Sequence, residues 1–171
     1  MRNNRRAFLQ LLVASSLCLG ALGLAGSAAL ADGGKFYRAN KGKLFVSDKP
    51  FEASEDEDAM SNQVKKLGRT ELKSTGGTED GASWDFHWLA VLNKKPGSTT
   101  ATIFFYDVTG KERKQATYKD IGCDANQLII VADLSIGEDD GLKKGNKYEI
   151  VLAVDQGGKQ VPLAKGTVVF K

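Results

Sequence analysis

Few side chains in this sequence are equipped for chemistry. The chain has one histidine, His87, and two cysteines, Cys18 and Cys123. A single imidazole excludes a histidine-rich zinc site, a copper site with paired histidines and any two-histidine metal motif. No G-x-S-x-G elbow, phosphate-binding loop or dinucleotide fingerprint is present, so nucleotide enzymes and hydrolases of that type have no support. What remains is carboxylate chemistry. Glu79-Asp80 and Glu138-Asp139-Asp140-Gly141 place acids close together in turn-like sequence. A carboxylate hydrolase needs two acids at a defined separation in a cleft, and loop oxygens from Glu138, Asp139 and Asp140 are the candidates for Ca²⁺. Acids in turns ordinarily bond the local backbone instead, so no catalytic residue and no cofactor other than this candidate calcium is expected.

The charge places the chain outside another class. The formal net charge is +3, but it belongs to Arg2, Arg5 and Arg6; without them, 21 Lys and Arg face 21 Asp and Glu. A neutral body lacks the basic surplus needed to hold phosphates, so nucleic acid is not an expected partner. The N-terminal segment has its own logic. After the arginines, residues 7–31 hold no charge and close on Ala29-Leu30-Ala31, a small-x-small cleavage pattern. This predicts a signal peptide over residues 1–31, cut after Ala31. An uncleaved anchor is the alternative, since the uncharged run is long enough to span a bilayer. Cys18 is preceded by Leu17, which excludes a lipoprotein site there. Cleavage would leave Cys123 as the only thiol, with no intrachain disulfide: either a small buried residue or an exposed thiol.

The elements that must position these residues follow from periodicity. Residues 32–43, rich in Gly, Lys and Asn, predict a flexible leader or an edge strand, and residues 44–171 a single domain. Ser54 with Glu57 fits a capping box, Lys65 and Lys66 suit a last turn, and Gly68 a stop, predicting a helix over 55–67. Met60, Val64 and Leu67 form its apolar stripe, expected to dock near Leu89, Val91, Ile103 or Phe105. From Trp84 to Leu92 the period is two, with Trp84, Phe86, Trp88, Ala90 and Leu92 on one face and His87 on the other. Further strands are predicted at 43–47, 99–108, 114–119, 128–136, 147–154 and 161–170, separated by short turns. About seven antiparallel strands with one inserted helix predict an all-β sandwich.

Two stretches resemble known families. Asn4-Arg5-Arg6-Ala7-Phe8-Leu9-Gln10 resembles the bacterial twin-arginine export signal, with Asn4 and Gln10 departing from its commonest form; general secretion is the other route. The resemblance implies a bacterial protein exported already folded. Leu142-Lys143-Lys144-Gly145-Asn146-Lys147-Tyr148, followed by alternating Ile150, Leu152 and Val154, resembles the strand E to F connection of immunoglobulin-like and fibronectin type III sandwiches. In that family the equivalent tyrosine bonds back to the connection, a tyrosine corner, and the resemblance gives Tyr148 this role. Trp84 or Trp88 would then match the family's buried Trp. Lys144 stands where Pro often precedes the Gly, and the antibody-type disulfide is missing.

Function is expected to be that of an exported, periplasmic or secreted, non-catalytic module binding a protein or a cell-envelope polymer, with no membrane span after cleavage. A carboxylate hydrolase on the loops and a calcium- or carbohydrate-binding module are the alternatives. Exposed Trp84 or Tyr106 in a row would favour sugar, and an unpaired apolar edge a protein.

Overall fold

The computed structural model describes residues 34–78 and 81–171. Arg5, Arg6, Ala29 and Ala31, and with them the expected export signal and its expected cleavage site, lie outside the described residues.

Among the described residues, two helices and nine strands follow one another as α1 (Lys35–Asn40), β1 (Lys43–Ser47), α2 (Glu57–Leu67), β2 (Glu71–Leu72), β3 (Gly76–Thr78), β4 (Gly81–Val91), β5 (Thr100–Asp107), β6 (Lys114–Gly122), β7 (Ile129–Gly137), β8 (Lys147–Asp155) and β9 (Gln160–Phe170). β4 pairs antiparallel with β7 on one side and with β1 and β3 on the other. β9, β8, β5 and β6 form a second antiparallel run. β1 joins the two, antiparallel to β4 and parallel to β9. This is an all-β sandwich of two layers, ending in β7 on one layer and β6 on the other.

The core forms where the period-two pattern requires it. Trp84, Phe86, Trp88, Ala90 and Leu92 are all buried, facing Ile103, Phe105, Tyr148, Ile150, Leu152 and Phe170. Phe170 sits against Trp84, Phe86, Phe105 and Tyr148 at ring separations of 5.1–6.3 Å. Neither tryptophan is surface: both are fully buried, so Trp84 is not a sugar platform.

A second, smaller core lies on the opposite face of β4. Met60 is fully buried there with Phe36, Tyr37, Phe51, Leu89 and Val91, and Val64 and Leu67 pack at its margin. The α2 stripe therefore docks on Leu89 and Val91. Ile103 and Phe105 point into the main core instead.

Three local expectations are corrected. Residues 35–40 are helical, not leader or edge strand, because burying adjacent Phe36 and Tyr37 against Met60 and Leu89 fixes their backbone. The cap of α2 is Asp56, whose Oδ1 accepts the N–H groups of Asp58 (2.8 Å) and Ala59 (3.2 Å). Ser54 instead accepts the Asp56 N–H, and Glu57 reaches out of its own helix to the Lys35 N–H at 2.8 Å, tying α2 to α1. The edge strand β6 runs three residues past its expected end at Lys119.

Candidate binding surfaces

The residues with chemical potential lie in separate places. The acids of 138–140 are engaged by the chain's own donors. Glu138 accepts the N–H groups of Ala82 (2.9 Å) and Lys144 (3.2 Å), which hold its carboxyl below the ordinary range. Asp140 accepts the Gly137 N–H at 3.1 Å and is bridged by Lys119. Burial pushes its pKa up, but the Lys119 hydrogen bond and the Gly137 N–H outweigh this and leave it lowered. Asp139 accepts the Asp140 N–H. The turn thus orders its carboxylates on backbone, as acids in turns do. Among the described residues, no three His, Cys, Asp or Glu side chains gather as a metal-binding group.

His87 and Cys123 are also apart in role. Cys123 donates to the Ser98 carbonyl at 3.3 Å, and burial, with Asp124 beside it, raises its pKa, which disfavours the reactive thiolate. His87 lies on the outer face of β4, its Nδ1 2.6 Å from Asp133 Oδ1 on β7. One cross-strand pair along, Ser135 bonds Asp85, which also accepts from Thr75 at 2.8 Å; both bonds lower its pKa. A histidine, an aspartate and a serine are near one another, yet the serine is bonded to the other aspartate. A nucleophile activated by its base requires the serine on the imidazole. These groups line an open depression of about 360 Å³ with Phe86 and Leu134.

A second surface was only partly legible. On the outer face of β5 and β6, Phe104 and Tyr106 lie 6.1 Å apart and Phe104 and Tyr118 6.0 Å apart, between ring centres. Tyr118 is 56% exposed, the large apolar residue most open to solvent among the described residues. Arg113 covers the Tyr106 ring, its guanidinium carbon 3.3 Å from the ring centre, and also bonds Glu149 at 2.6 Å. Lys165 lies 4.0 Å from the same Glu149, and Thr102 bonds Asp120 at 2.7 Å. Aromatic side chains ringed by paired charges match the composition of a protein contact centre. The sequence singles out Tyr106 only as an aromatic whose exposure would favour sugar. Its grouping with Phe104 and Tyr118 depends on the β5–β6 register, which places Phe104 opposite Tyr118.

Tyr148 is buried, and its hydroxyl accepts the Lys143 N–H at 2.8 Å, across the turn after the buried Leu142.

No protein-family model matches the chain, and a search of the curated proteins finds no match. Among solved structures it is similar to an immunoglobulin-like protein from Pseudomonas aeruginosa, with 14% identity over 75% of this chain and 90% of that one and a TM-score of 0.36.

Proposed function

We propose that the chain is an exported, non-catalytic β-sandwich module that binds a protein partner in the bacterial periplasm or outside the cell. On this reading the twin-arginine-like segment directs export, Ala31 ends the leader, and Tyr148 acts as the tyrosine corner that anchors the β8 connection.

The carrying observation is the Phe104, Tyr106 and Tyr118 surface with its Arg113–Glu149 rim. Exposed tyrosine gives large contact area for little conformational entropy, and an arginine already stacked on Tyr106 loses less freedom on binding. A protein fits this surface better than an envelope glycan. A sugar platform needs bare ring faces, and Arg113 occupies that of Tyr106.

The test uses the full chain, tagged at its C-terminus and expressed in its host. The expected result is an extracytoplasmic mature protein beginning at Asp32. A captured protein should be lost from both Tyr118→Ala and Arg113→Glu but kept by Lys159→Ala, with unchanged far-ultraviolet circular dichroism. A full-length cytoplasmic protein would overturn export. Capture insensitive to Tyr118→Ala would overturn the surface. Sedimentation with purified peptidoglycan or polysaccharide, abolished by Tyr118→Ala, would replace the protein partner with a glycan.

A further inference from the structure

The edge strands β6 and β7 differ in how they meet solvent. On β6, Lys119 is paired across the ladder with Ile103, a core residue, so its side chain leaves from the core-facing side and reaches Asp140. An inward-pointing charge on an edge strand obstructs the addition of another strand, since that charge would be trapped beneath it. β7 has no such guard. Its core-facing residues are Ile130, Ala132, Leu134 and Ile136, all apolar, and Ala132 and Leu134 lie at the core margin.

The hydrogen-bond phase shows which backbone groups are open. Leu92 N–H donates to the Leu128 carbonyl and Glu138 N–H to the Ala82 carbonyl, at the two ends of the β4–β7 ladder. In an antiparallel ladder the bonded pairs alternate, so the even-numbered residues of β7 bond β4. The N–H and carbonyl groups of Val131, Asp133 and Ser135 therefore face away from the sheet. Gly137, next in this series, has its outward N–H taken by Asp140, which ends the open stretch.

We propose that the β7 edge takes up an extended polypeptide from a partner protein as an added strand, in which apolar residues alternate with Lys or Arg. The outward backbone row is matched by another β-strand. Residues of that strand in line with Ala132 and Leu134 face the apolar margin of the core. Those in line with Asp133 share the outer face with Asp85 and Asp133, and Asp133 is 79% exposed even while bonded to His87. Basic side chains fit there by charge. This surface is separate from Tyr118, on the opposite layer, so either can fail without the other.

The probe is a capped heptapeptide alternating Lys and Val, compared with its Glu-Val counterpart and a block-ordered Lys-Val control, read by fluorescence anisotropy and amide chemical shifts. Lys-Val should bind at least tenfold more tightly than either, and the largest shifts should fall at Val131, Asp133 and Ser135. Val131→Pro removes an N–H that faces away from β4 and should weaken binding at least tenfold. Asp133→Lys, a surface change, should reverse the preference toward Glu-Val without relying on the proline variant. Tyr118→Ala should change nothing. Equal binding of the alternating and block peptides, retention by a folded Val131→Pro, or no charge reversal would overturn the proposal. A concentration-dependent dimer in sedimentation velocity, abolished by Val131→Pro, would also overturn it and make the occupant a second copy of this chain.

Discussion

Lys119 on β6 is joined to Asp140, in the turn after β7, by a 2.5 Å ion pair that bridges the two layers at their open side. Along this side the sandwich has no shared strand, in contrast to the other, where β1 pairs with both β4 and β9. The turn acids therefore act as structural acceptors, and their protonation should register in stability.

Asp140 and Glu138 both have lowered folded-state pKa values. A depressed carboxyl contributes stability that is present above its unfolded value, about pH 4, and is lost as pH falls through the folded value. The urea midpoint of the wild type should fall more steeply between pH 5 and pH 2.5 than that of the Glu138→Gln/Asp140→Asn variant, the two curves converging at the acid end. Parallel curves would show that these bonds do not couple to folding.

The same occupancy bears on calcium. Because Glu138 and Asp140 already serve Ala82, Lys144, Gly137 and Lys119, recruiting them to an ion would require giving up those bonds. The melting temperature after EDTA treatment should be unchanged by millimolar calcium. An upward shift of several degrees, lost in Asp140→Asn, would identify an ion site.

Tyr148→Phe removes one buried hydroxyl and leaves the Lys143 N–H without its acceptor. The loss should be about 0.5–1.5 kcal/mol, the usual net contribution of one hydrogen bond, since the Lys143 N–H is only part-buried. Equilibrium urea unfolding at pH 7 measures it, and a loss below about 0.5 kcal/mol would mean water replaces the hydroxyl.

Helix α2 separates two readings of its start. Asp56→Ala should cost about 1 kcal/mol, the usual value of an N-cap, while Ser54→Ala should cost appreciably less. Met60→Ala, opening a cavity in the small core, should cost about 2–5 kcal/mol. Similar losses for Asp56→Ala and Ser54→Ala would restore the capping box that the spacing first suggests.

These contrasts show what the sequence made legible. Period-two burial from Trp84 to Leu92 was readable because a strand's alternation belongs to the chain itself, and the Met60 stripe because helical spacing does too. The short helix at Phe36 and Tyr37 was hidden, since its residues favour helix only once Met60 and Leu89 cover them. The shift of the cap from Ser54 to Asp56 was hidden as well: Glu57 is drawn to Lys35, an element no local rule connects to it. The surfaces depend on register. Nothing in the order of Lys119 and Ile103 marks them as cross-strand neighbours, and nothing near Asp133 marks its strand as an unguarded edge.

The junction between the layers gives the sharpest stability test. β1 approaches β9 so closely that a Cβ on Gly166 would overlap the Leu44 carbonyl oxygen, a backbone atom fixed by the ladder that pairs Leu44 with Ala90. Neither strand can yield easily: β9 is held by β8 through the Gly166 and Ile150 pair, and Lys165 N–H bonds the Gly42 carbonyl at 3.0 Å. Gly166→Ala should therefore destabilise by about 1–3 kcal/mol or more, as an added methyl does in a packed interior, and lower the melting temperature by several degrees. Gly110→Ala is the matched control, because a Cβ there meets nothing within 4 Å. Its effect should be close to zero or slightly stabilising through reduced unfolded-state entropy. Equal melting temperatures for the two variants would mean that β1 does not run against β9 at this point, and the strand that joins the layers would have to be placed elsewhere.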